Sequence, residues 1–283
     1  MRKDLTNRLP PREFIKLYNM VDQYVNESED SCGHRFVGLR ATIASQAKSF
    51  FATFHAEKLA VMAMVVDNDP WEHALVPIEF QHIVHAIETG RMSSIDGQQQ
   101  DQPLPVRVAA AAPDDADGDN ELGDGGDETR SDDPLASASS SSAALSAASA
   151  PSDIAQVLMV GDTAYPVVSA VLMLVKAVAQ YLECALSIPS LSTDATSRLV
   201  DLFRQFNQHV ANAILGARAR ESSGLANVTT KHLALAFNAV GAVDALVNPV
   251  RALLQTALRD SRIVLLGEFD GVRQVRSVIC VAF

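Results

Sequence analysis

Apolar side chains recur along most of this chain at three- and four-residue intervals, the spacing that places them on one face of a helix. Phe14, Leu17, Tyr18, Val21, Tyr24 and Val25 form the first such stripe. A longer helix is predicted from Phe36 to Asp67, where Ile43, Ala47, Phe50, Phe51 and Phe54 are continued by Leu59, Met62, Val65 and Val66. Asn68-Asp69-Pro70 ends it, because proline steers the preceding residue out of the helical region and Asn and Asp favour turns. Pro77 suits the first turn of a short helix, Ile78 to Glu88, which Gly90 closes.

The periodicity then stops. Residues 94–152 run through a Gln-rich start, an Ala run, an Asp/Gly-rich acidic tract and a Ser/Ala repeat, with too few large apolar side chains to offset the entropy of ordering. They read as a disordered insertion between a helical segment, 1–93, and a second helical region, 153–283. Gln156 to Tyr165 reads as a small β-hairpin around Gly161-Asp162 or as a plain turn. Helical spacing returns with Val168, Val171, Leu172, Val175, Val178, Ala179, Leu182, Ala185 and Leu186, and Pro189 lies just past its end. Ser192 and Thr193 suit the N-cap of a helix striped by Leu199, Leu202, Phe203, Phe206, Val210, Ala213 and Ile214. Thr229 or Thr230 suits the cap of another, carrying Leu233, Ala236, Phe237 and Val240, which Pro249 kinks or follows with a fourth. No single amphipathic helix can bury its stripe alone, so the expected fold is all-α, a bundle of antiparallel helices around a shared core.

Composition agrees with that class. Aromatic residues are only 6% of the 283, while 48% are hydrophobic, a balance that favours helix packing over sheets. The net charge of −11 is concentrated in the insertion, where eleven carboxylates between Asp101 and Asp133 face only Arg107 and Arg130. No basic face emerges to displace counterions from a duplex, so nucleic acid is excluded as an expected partner. Cys32, Cys184 and Cys280 are far apart and in no Cys-x-x-Cys spacing, which reads as a reduced, cytoplasmic chain. The N-terminus lacks the apolar region of a signal peptide, and the longest apolar run, Ala164 to Val175, is too short for the ~20 residues that a spanning helix needs. Membrane contact is therefore expected to be peripheral.

Chemical motifs are sparse. Glu79, His82, His85 and Glu88 share one helix, but a carboxylate-bridged di-iron site needs a second Glu-x-x-His on a compatible helix, and none is present. Asp115, Asp117 and Asp119 imitate the start of a calcium loop, yet Asn120 stands where that loop needs glycine. Cys32-Gly33-His34 is too small a cluster for zinc. No nucleophile elbow or phosphate-cradling loop appears, and the Gly123–Gly126 stretch is acidic. The reading is no enzyme, no cofactor and no metal.

Specific strings carry the reading further. Phe54-His-Ala-Glu through Asp67-Asn-Asp-Pro-Trp71 to Val76-Pro77-Ile-Glu-Phe80-Gln81 closely resembles a segment of the vacuolar protein sorting-associated protein 54 family. The resemblance continues in Val160 to Val168, Ile188 to Asp194, and Leu215 to Arg220 through Thr229 to Leu235. The strings are collinear and cover most of residues 40–240; the match is expected to thin after Asp260, and the chain to be a fragment at both ends. Syndetin, of the endosome-associated recycling complex, is the nearest competitor, and the Val-Pro-Ile-Glu-Phe-Gln string argues against it.

What this resemblance implies is a bundle of the multisubunit-tether type. Its role would lie in a GARP-like complex that captures vesicles in retrograde transport from endosomes to the trans-Golgi network. The family's N-terminal coiled coil joins the other subunits, and its C-terminal helical domain, the part represented here, helps direct the complex to endosomal membranes. The implied partners are other GARP complex subunits, SNARE proteins of the syntaxin type, and the endosome/Golgi membrane as a peripheral surface. An exposed apolar groove is the expected partner site. Trp71, Pro77, Glu79, Phe80 and Gln81 mark the family or touch a partner, the alternative being that Trp71 and Phe80 anchor a turn to the core. Two other readings stand beside the tether: a helical scaffold acting through its acidic insertion, and a metal-dependent helical enzyme resting on His82 and His85.

Overall fold

The computed structural model describes residues 9–92, 154–215, 229–258 and 260–272. Helix α1, Pro11–Cys32, starts on a proline that needs no partner for its missing N–H. Helix α2, Val37–Asp67, folds back on it, and its first turn lacks a cap of its own. Glu29 of α1 supplies one, accepting the Phe36 N–H at 2.8 Å while its carboxylate also takes the Arg40 guanidinium at 2.7 Å. That hydrogen bond from Arg40 holds the Glu29 carboxyl below its ordinary range.

A turn after α2 leads into β1, Val76–Pro77, and α3, Ile78–Thr89, which ends on Gly90 at a φ of 74° that a side chain would strain. After the insertion, β2, Ile154–Ala155, pairs antiparallel with β1. Strands β3, Leu158–Val160, and β4, Thr163–Tyr165, make a hairpin whose two-residue turn is Gly161-Asp162, with Gly161 at a φ of 58°. Of the two sequence readings of this stretch, the hairpin is the one realised.

Helix α4, Ser169–Ser187, is followed by a 3-10 turn, Pro189–Leu191, that runs straight into α5, Ser192–Leu215. Ser192 is accordingly not an N-cap: it already has helical angles, and its hydroxyl donates backwards to the carbonyls of Ala185 and Pro189. The preceding 3-10 turn absorbs the start that its residue type suggested. Thr229 does cap α6, Thr230–Ala257, in a reciprocal capping box with His232. Pro249 lies within α6, which continues through it as a single helix. A 3-10 segment, Asp260–Phe269, packs on α5 and α6.

The fold is an all-α bundle with these two short β pairings at one side. Helix α4 is its axis, with α1, α2, α3, α5 and α6 all packed on it. Successive long helices run antiparallel, but α2 and α5 lie side by side in parallel, since His55 meets Asp201 while Asp67 meets His209 further along both. Segments on both sides of the insertion thus share one core. The insertion, 94–152, lies outside the described residues.

Helices α2, α4 and α6 are each long and apolar enough to cross a membrane by length and composition alone. An uninterrupted run fails to register them, because isolated polar residues such as His55, Lys176 and Asp244 break the run without making the helix polar. In the bundle, 72% of the apolar stretch of α4 is buried, against 56% for α6 and 33% for α2.

Candidate functional site

Of the five residues singled out from the sequence, Pro77 and Gln81 contact the chain that follows the insertion, Trp71 and Phe80 are buried, and Glu79 lies in the first turn of α3. Trp71 is fully buried, with its backbone held at a φ of 52°, a left-handed conformation that a bulky residue adopts only under constraint. Asp69 provides that constraint. Its Oδ1 accepts the Trp71 N–H at 2.9 Å, while its Oδ2 accepts the Ser169 hydroxyl at 2.7 Å and the Ala170 N–H at 2.9 Å. A carboxylate from the turn after α2 therefore caps the N-terminus of α4, a hundred residues on, where the helix dipole favours negative charge. The Trp71 indole N–H has no acceptor among the described residues.

Pro77 begins α3 and pairs with Ile154, and Glu79 places a carboxylate in the first turn of α3. Phe80 is buried against the core. Gln81 acts as a substitute strand: its side-chain amide donates to the Met159 carbonyl and its oxygen accepts the Met159 N–H, each at 2.9 Å, closing the outer edge of β3. Two helical turns further along α3, Glu88 accepts the Gly161 N–H at 2.6 Å. An open cleft of about 610 Å³ lies beside this contact, between the hairpin turn and Pro249. His82 and His85 face solvent, and no group of three or more metal-ligating side chains occurs among the described residues.

A second constellation, not selected from the sequence, lies at the meeting of α2, α4 and α5. His55 is buried, with Nδ1 2.6 Å from the Tyr181 hydroxyl and Nε2 3.1 Å from Asp201 Oδ2. An ionised Asp201 can only accept, so Nε2 carries the imidazole proton and Nδ1 accepts from Tyr181. Burial pushes the His55 ring below its ordinary pKa, opposed by the hydrogen bond to Asp201 and reinforced by the Arg198 charge. Burial also raises the Tyr181 phenol far above its usual value, which keeps it a donor, and raises the neighbouring Cys184 thiol to about 12. Phe51 and Phe54 pack on the Tyr181 ring at 5.4 and 5.0 Å between centroids, and Phe50 stacks on Phe14 of α1 at 3.8 Å. The three polar groups lock helices together, with His55 and Tyr181 buried and the Asp201 side chain 45% exposed at the surface. The available signal was a histidine one position from Phe54 on an otherwise apolar helix face.

Comparison with known proteins places this architecture. Residues 162–277 match the family model described as Vps54-like protein. This stretch is similar to the Vps54-like family. It runs from the hairpin through α4, α5 and α6, and extends past Asp260, where the sequence similarity was expected to thin. Over 265 residues the chain is 29% identical to vacuolar protein sorting-associated protein 54 of Rattus norvegicus, covering 94% of the chain and 23% of that protein. It is 28% identical to the Homo sapiens protein of the same name, with 94% and 22% covered. To the Arabidopsis thaliana protein, named as chloroplastic, it is 26% identical, with 97% and 29% covered. The chain thus spans about a quarter of the length of these Vps54 relatives. No solved structure matches it. Trp71, Pro77, Glu79, Phe80 and Gln81 precede the Vps54-like stretch itself.

Proposed function

We propose that this chain serves in a vesicle-tethering complex of the GARP type, in retrograde transport from endosomes to the trans-Golgi network. The observation that carries the reading is the similarity to Vps54 proteins along 94% of the chain. A bundle whose polar clusters join helices to one another suits such a role, which needs rigid surfaces rather than a chemical centre. In this reading the other GARP subunits are its protein partners, and syntaxin-type SNAREs and the cytoplasmic face of endosome and Golgi membranes are further contacts. Trp71 and Phe80 are spent on the core, and Pro77 and Gln81 on the strands that follow the insertion, so partners dock elsewhere.

Affinity purification of the protein from its own cells, followed by mass spectrometry, should recover the other GARP subunits. Recovery of the endosome-associated recycling complex instead, or of neither set, overturns the proposal. Deleting residues 96–152 should leave recovery intact, whereas loss of all partners on that deletion would favour a scaffold acting through its acidic insertion.

A further inference from the structure

The polar groups at the junction of α2, α4 and α5, two of them buried, have a property that their packing alone does not require. We propose that His55, Tyr181 and Asp201 form a proton-sensitive latch, in which a proton taken up on Nδ1 of His55 removes the acceptor of the Tyr181 hydroxyl and loosens α2 from α4.

The argument rests on donor counting. In the neutral ring, Nε2–H donates to Asp201 and Nδ1 accepts from Tyr181, so all three groups are satisfied. Protonation turns both ring nitrogens into donors. The Tyr181 O–H must then turn away from Nδ1, and its hydroxyl has no hydrogen-bond partner besides His55 among the described residues, while the Phe51 and Phe54 rings pack on its ring at 5.4 and 5.0 Å. A buried donor without an acceptor is costly, and the 2.6 Å contact leaves no slack to absorb the change.

The charges around the ring divide. From α5, Asp201 favours the protonated form and Arg198 opposes it. From α4, Tyr181 and Cys184 stay neutral, and Glu183 is engaged by Arg12 of α1 at 2.8 Å. On α2 itself, Lys58 lies over the Phe54 ring, 5.3 Å from its centre. A second His–Asp contact, His209 with Asp67 at 3.6 Å, joins α2 to α5 further along, so opening of the latch pivots about a held end. The device separates two contacts of one helix: acid weakens α2 against α4 while leaving α2 paired with α5.

The test uses the full chain labelled with ¹⁵N, its seven histidines resolved by long-range proton–nitrogen spectra, with His55 assigned through His55→Gln. The latch requires the Nε2–H tautomer at pH 7.5 and a His55 midpoint below the ordinary ~6.5. Tyr181→Phe, which keeps the ring and removes only the hydroxyl, should raise that midpoint, and Asp201→Asn should lower it. Hydrogen exchange of α2 amides near His55, corrected for intrinsic rate, should show opening at pH 5.5 in excess of that at 7.5, by about tenfold for each unit that the midpoint lies below the ordinary value once both are passed. His55→Gln should abolish the excess. A Nδ1–H tautomer, a midpoint at or above the ordinary value, or pH-independent opening overturns the proposal. If His55→Gln does not fold, the shift in Tyr181→Phe decides.

Discussion

Helices α2 and α4 are built from similar material and meet different fates. Both are apolar enough to span a membrane, yet α4 is enclosed on all sides and α2 buries one face only. Thirteen side chains of α4, from Ala170 to Ala185, are buried, whereas the outer face of α2 turns Val61 and Met64 to solvent at 43% and 59% exposure. The difference lies in the neighbours: α4 is contacted by five helices, and α2 lies at the flank between α1, α4 and α5. A helix's composition therefore sets how much apolar surface it offers, and topology decides how much of it is covered.

The contrast is broken most directly in α4. Leu182 is fully buried, and Leu182→Ala should cost ~2–5 kcal/mol through lost burial and the cavity left behind, read as a fall in urea midpoint. A loss below ~1 kcal/mol would mean that α4 is not the axis of the bundle. Next in size is the cap lent to α4 by the turn after α2. Asp69→Ala removes three hydrogen bonds to a buried carboxylate and should cost about 2–3 kcal/mol, with Asp69→Asn recovering part of it.

The junction of α2 with α4 and α5 gives the pH dependence. The folded His55 pKa is lowered, so the unfolded chain binds more protons as the medium turns acidic. The stability tied to His55 is complete above the ordinary ~6.5 and is lost as pH falls from there through the lowered folded value. Thermal midpoints of the wild type and His55→Gln should converge in slope above pH 7 and diverge below 6.5. A wild-type midpoint that rises on acidification relative to the variant would reverse the sign.

Much of this architecture was legible locally. Helices α2 and α3 begin and end within a residue or so of the boundaries given by their stripes, by Asn68-Asp69-Pro70 and by Gly90, because those signals act within one turn of chain. The parallel placement of α2 beside α5 was not legible, since periodicity says which face is apolar and not which partner it meets. The same holds for the contacts made across the insertion. Asp69 read as a turn former, and nothing near it in sequence announces that its carboxylate caps a helix a hundred residues later. Gln81 belongs to the Val-Pro-Ile-Glu-Phe-Gln string, but its pairing with the backbone of Met159 needs the fold to bring the hairpin alongside α3. Ser192 misled for the opposite reason: its residue type suits a cap, while the 3-10 turn before it had already started the helix.

Smaller effects sharpen the comparison from the exposed side. Gln81→Ala leaves both backbone groups of Met159 to water, which can satisfy them at this partly open position, so the loss should be about 1 kcal/mol. Smallest of all is Met64→Ser on the outer face of α2. Met64 is buried neither by α1 nor by α5, and its replacement removes little apolar area from the core, so stability should stay within ~0.5 kcal/mol of wild type. The same change at Met62, two residues away and 1% exposed, should cost several times more, because serine would leave both a cavity and a buried hydroxyl. Denaturant midpoints of the two variants, measured side by side, test the one-sided burial of α2 without reference to any other helix. Equal losses would mean that the outer face is covered, and the distinction between the flank and the axis would fall.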